Sequence, residues 1–180
     1  MDQRSHFRDA VPVLVRVAGE LARYCDRTEH NEAADRAAIV QAGSDARELA
    51  LRLFAAVGQD PMAAYAARIR RVEARYPLGG SGAYDGGSAV DAATTWRLIQ
   101  QAQAHHDAIY HPDVAGLAKI EQLRHYTLHM AKLAWLMQEA ANDSTATDEF
   151  IQNRLPDILL FGIKLATVLG INLPDEPIRQ

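Results

Sequence analysis

The stretch that most constrains this chain lies near its C-terminal end, where LPDILLFGIKLATVLGINL runs almost continuously apolar from Leu155 to Leu173. Its charged interruptions are Asp157 and Lys164, and no run reaches the roughly 18 uninterrupted apolar residues of a membrane span. Such a segment must be covered on nearly all sides by other protein. A second helix-length apolar segment precedes it, from about Leu117 to Ala141. Here apolar residues fall on more than one face: Leu117, Ile120, Leu123, Met130 and Met137 on one, Leu128, Trp135 and Leu136 on others. These two segments predict a buried central helical hairpin, with a homodimer interface as a further way to cover it.

The rest of the sequence agrees with an all-α bundle of five to six helices. Alanine is abundant, and Val and Ile are scattered rather than set in alternating runs. The spacing predicts a helix over about 9–26, capped by Asp9 with Pro12 in its first turn. A second covers about 32–57, with a break expected at Gly43-Ser44 and a stop at Gly58. Asp60-Pro61 opens a third, to about 76. PLGGSGAYDGGS, residues 77–88, reads as a flexible loop between an N-terminal half (1–76) and a C-terminal half (89–180) of one compact domain. A fourth helix is expected over 90–110, ending before Pro112. The last is expected over 148–169, broken or kinked at Pro156. Thr145-x-x-Asp148 is a capping-box candidate, Gly170 is the expected stop, and the tail beyond it reads as extended.

Composition excludes several function classes. One cysteine, Cys25, rules out a disulfide framework and a cysteine-based zinc site within one chain, and its place on an apolar stripe makes it a small core residue. A net charge of −4 gives no footprint for DNA, although a local basic patch for RNA remains compatible with it. No apolar signal core opens the chain. A cytoplasmic protein without a membrane partner is the expectation.

Five of the seven histidines lie between His105 and His129. His106 shares a helix face with Ile99, Ala102 and Ile109, whereas His111 stands at a helix end, where a cationic group suits the dipole. Glu121, His125 and His129 recur every four residues and share one face. His-x-x-x-His is a spacing by which one helix offers two imidazoles to a divalent metal, and Asp157 on the next helix would add an oxygen ligand. The expected metal set is therefore Glu121, His125, His129 and Asp157. Buried charges need partners, and Arg124 or His129 are the expected neighbours of Asp157 and Lys164. Glu29-x-x-Glu32 and Asp45-x-x-Glu48 read as solvated faces and helix starts.

Two family resemblances follow from these residues. LHMAKLAWLMQEA and RLPDILLFGIKLATVLGINL resemble the last two helices of the all-α nucleotide pyrophosphohydrolases of the MazG-like group. That resemblance implies a helical protein that handles or binds nucleotides or a related phosphorylated ligand. The family holds Mg²⁺ on an E-E-x-x-E helix and an E-x-x-D motif. Here Asp157 matches the final acid, but Arg154 replaces the glutamate of E-x-x-D, and Lys132 and Trp135 fall where other acids belong. The acidic metal site is thus degenerate. Separately, Arg124-His125-x-x-x-His129 resembles the R-x4-H motif of the HEPN superfamily of metal-independent ribonucleases. That resemblance implies catalytic roles for Arg124 (phosphate), His129 (base) and His125, with RNA as substrate and a dimeric cleft. A non-catalytic helical interaction protein is the third expectation.

Overall fold

A computed structural model describes residues 3–76 and 85–178. These residues form nine α-helices: α1 (Gln3–Glu29), α2 (Arg36–Val57), α3 (Pro61–Arg75), α4 (Gly86–Asp91), α5 (Trp96–Tyr110), α6 (Pro112–Ala115), α7 (Lys119–Ala140), α8 (Ser144–Asn153) and α9 (Leu155–Val168). The fold is all-α, as the periodicity requires. No helix among the described residues is long and apolar enough to cross a membrane.

Helix α9 is the axle. Its residues from Leu155 to Ala166 are all buried, including Asp157 and Lys164. The covering elements are α2, α3, α5, α7 and α8 of the same chain, so no second copy is needed to bury it. Seven Leu, Ile and Phe side chains in this run give burial on the order of 10 kcal/mol. Gly162 sets how closely α2 approaches. A Cβ there would stand 2.6 Å from Arg47 Cγ and 3.2 Å from its backbone nitrogen. With no Cβ in the way, Arg47 lies across α9 and its Nη1 donates to the Gly162 carbonyl at 3.1 Å.

Helix α7 rests on α1 and α9 through Leu123, Tyr126, Met130, Leu133 and Met137. It is buried along one stripe rather than on several sides, and Leu128 and Trp135 are 71% and 60% exposed. Cys25 is buried, as a core residue.

Several element boundaries differ from expectation, each for a physical reason. Helix α1 starts by Gln3 rather than at Asp9, because Phe7 is buried against Phe150 (ring centroids 5.2 Å apart) and draws the preceding turn into the bundle. Pro12 therefore sits inside the helix. Helix α2 begins after Asp35, whose carboxylate accepts from the Ala38 amide, and continues through Gly43. It ends at Gly58 in the left-handed region (φ 69°). The start and end of α3 are as expected, with Asp60 accepting from Ala63 at 2.7 Å. Residues 77–84 of the expected loop lie outside the described residues. Its end is not loop: Asp85 caps α4 through the Ser88 amide. The expected fourth helix divides into α4 and α5, with Thr95 capping the second. Asp143, not Thr145, caps α8, whereas Pro156 marks a fresh start for α9, one of the two outcomes expected there.

The tail closes the bundle as an extended strap. Trp96 and Arg97 amides donate to the Glu176 and Pro174 carbonyls. The buried Gln100 amide side chain donates to Ile171 and accepts from the Leu173 amide.

Candidate functional site

Where α3, α6 and α7 meet over the first half of α9, they leave a pocket of about 340 Å³. The sequence places a basic residue from each of several elements in its wall. Helix α3 supplies Arg68 and Arg75, seven residues apart and so two turns along one face. Lys132 comes from α7, Arg154 from the α8–α9 junction, and Lys164 from α9. Asp113 and Asp157 are the carboxylates in the same wall, while Asp107 and Glu149 outside it face Lys164 and Arg154. His111, His125 and His129 complete the polar lining, and Phe161 and Leu160 form an apolar floor.

The pairing inside the pocket is uneven. Asp157 accepts two bonds from Arg68, Nε at 2.6 Å and Nη2 at 3.2 Å. Lys164 reaches out of the pocket to Asp107 on α5, at 2.8 Å. These are the partners of the two buried charges of α9, in place of the expected Arg124 or His129. Arg154 has one loose contact, Nη2 to Glu149 at 3.6 Å, and its Nε is buried without a hydrogen-bond partner. Lys132 is exposed at the rim, and Arg75 lies against the Tyr76 ring.

Burial favours the neutral form of all three pocket histidines. His129 lies stacked on Phe161 (4.6 Å) and tilted against His125 (4.5 Å). Its pKa is lowered to about 4, first by burial and then by Lys132 and the other cations around it. Burial, followed by Lys164, also lowers His125 and His111. Asp107, behind them, is held below the usual carboxylate range by His106 and Lys164 in spite of its burial.

Three sequence-predicted residues, His125, His129 and Asp157, line this one pocket. Glu121 and Arg124 do not. Arg124 turns to α1, where it pairs with Glu29, and it also bonds Glu121 on its own helix at 2.7 Å. The R-x4-H spacing explains this, since five residues along a helix put the two side chains about 140° apart. Nor do Glu121, His125, His129 and Asp157 form a coordinating group. Among the described residues, the group of three or more ligand residues with atoms all within 4.8 Å of one another is His106, Asp107 and His111. The sequence reading missed Arg68 and Arg75. Their i, i+7 spacing on an otherwise thin amphipathic helix is the signal that was there to find.

Comparison with protein-family models, with curated proteins and with solved structures finds no match.

Proposed function

We propose that the pocket over α9 binds a small phosphorylated ligand of the nucleotide class. The observation that carries this reading is the convergence of five basic side chains on one pocket: among the described residues Arg75 and Lys132 have no carboxylate within ion-pair reach, Arg154 has only its loose contact to Glu149, and Arg154 Nε is buried and unsatisfied. Guanidinium groups match the planar oxygen pairs of phosphates, and a partly enclosed site strengthens each contact. The apolar floor of Leu160 and Phe161 gives a ring or sugar somewhere to rest. The size fits one small molecule and excludes a duplex. The resemblance of α7 and α9 to MazG-like proteins points the same way, while the loss of that family's acids takes away its metal-bridged route to phosphate. In its place stand arginines, which hold phosphate directly. The imidazoles of His125 and His129, held toward their neutral forms, are proton acceptors, a weak one in the case of His129, so hydrolysis or transfer without a bridging metal is the chemistry the pocket would support.

Thermal denaturation with pyrophosphate and a panel of nucleoside mono-, di- and triphosphates tests the reading, on wild type, Lys132→Ala and Arg154→Met. Stabilisation by several degrees in wild type, lost in both variants, is the expected result. No stabilisation by any phosphorylated compound would remove it.

A further inference from the structure

His106, behind the pocket wall, has a feature that the anion site leaves unexplained. The residue is 2% exposed, and neither ring nitrogen has a hydrogen-bond partner within 3.5 Å among the described residues. The nearest acceptors are Glu73 Oε1, 3.7 Å from Nε2, and Asp107 Oδ1, 3.8 Å from Nδ1, both beyond hydrogen-bond reach. Stacking on Tyr110 at 4.6 Å fixes the ring plane but satisfies neither nitrogen. Idle polar atoms at such depth are rare in folded proteins, and an ion is one of the few things that explain them.

Two other ligands face the same point. Asp107 is the next residue on α5, and His111 stands where α5 gives way to α6, its ring 6.0 Å from that of His106. One donor atom from each of the three lies within 4.8 Å of the other two. Helical geometry brings them together. Residues 106 and 107 are adjacent on the last full turn, and the chain unwinds at His111 (φ −135°), which lets that side chain turn back. Beside Asp107 and His111 opens a second cavity of about 350 Å³, also lined by Tyr126, Lys119 and Gln122. It supplies an entry path and room for water in the remaining coordination positions.

We infer that His106, Asp107 and His111 bind a divalent transition-metal ion of the zinc class. Two imidazoles and one carboxylate suit a borderline ion such as Zn²⁺ or Co²⁺, whereas Mg²⁺ and Ca²⁺ favour all-oxygen shells. The site adjoins the anion pocket, with His111 and Lys164 lining both, but its ligands His106 and Asp107 lie outside that pocket's lining and its reading does not rest on the anion reading. Donor atoms around a tetrahedral ion stand roughly 3.3 Å apart, closer than the 4.8 Å within which these three lie, so binding draws them together, and His111, the less buried of the two imidazoles, borders the second cavity. Lys164 now holds Asp107 at 2.8 Å and supplies the positive charge that an ion would replace. It lines both cavities, so its ammonium has space to withdraw toward the anion pocket when an ion takes the carboxylate.

The test is titration of chelator-treated full-length protein with Co²⁺, followed by visible d–d absorption, and with Zn²⁺ by calorimetry. One equivalent per chain is expected to give the intense bands of low-coordinate Co²⁺. His111→Ala should weaken binding at least about tenfold. His106→Gln should do the same. Because it alters the core, its circular-dichroism melt is compared with wild type, and His111→Ala decides the matter if that variant misfolds. Lys132→Ala should bind metal like wild type, which separates this site from the anion pocket. Absence of Co²⁺ absorption in wild type, or equal affinity in wild type and His111→Ala, would overturn the inference.

Discussion

At the scale of single residues, opposed charges and depressed histidines give the sharpest expectations. His129 has a folded pKa near 4 against about 6.5 unfolded, so the folded state binds fewer protons between those values. Stability therefore rises with pH across this window, and is lost as pH falls from about 6.5 toward 4. After allowance for its partial exposure the effect is about 1–2 kcal/mol. In His129→Gln the melting temperature should fall less between pH 7 and pH 4.5 than in wild type, and parallel pH profiles would refute the assignment. Asp157 gives a paired expectation. Asp157→Ala leaves Arg68 without its carboxylate and should cost about 2–3 kcal/mol in a denaturant titration. The same change removes one of two negative charges from the pocket, so pyrophosphate should bind more tightly. Were Asp157 instead a metal ligand beside His125 and His129, the variant would lose ligand binding rather than gain it.

At the scale of elements, the approach of α2 to α9 depends on Gly162. Gly162→Ala drives a Cβ into Arg47, backbone included, and should destabilise by about 1–3 kcal/mol. Trimming the side chain in Arg47→Ala, Gly162→Ala relieves the 2.6 Å contact but not the 3.2 Å one, so a double-mutant cycle should show partial recovery. Full additivity would mean that the helices are not in contact there. Element starts and stops were legible where the signal is local: Asp60-Pro61 opens α3 and Gly58 closes α2. They were illegible where a distant contact decides. Nothing near Phe7 announces Phe150, and Gly43 reads as a breaker only until the helix through it is seen against Leu165. The site divides in the same way. His125, His129 and Asp157 were visible through helical spacing, whereas Arg68 and Arg75 join them only because α3 lies across α9. Glu121 shared a face with the two histidines in sequence, yet it sits at the exposed start of α7, one turn beyond the pocket rim.

At the scale of the whole molecule, this single chain covers its own central helix, which changes what a second copy would be for. Of the exposed large apolar side chains among the described residues, the two most exposed, Leu128 and Trp135, stand seven residues apart on the outer face of α7. A dimer of the expected kind would use this face, close to Lys132 and the pocket mouth. Sedimentation at micromolar concentration should then show a dimer in wild type and a monomer in the Leu128→Glu, Trp135→Glu double variant. A wild-type monomer would end that expectation without touching the pocket. The net charge of −4 makes the cation-rich pocket a local exception on an acidic surface, so it favours a compact polyanion over an extended nucleic acid. The measurement that tests this account most directly is calorimetric titration of pyrophosphate into wild type and Arg154→Met at two salt concentrations. An anion site built on these cations gives one site per chain, affinity that weakens with salt, and at least about tenfold loss in the variant, the equivalent of one charge-assisted contact. Equal affinity in the two proteins, or no heat in either, would contradict it.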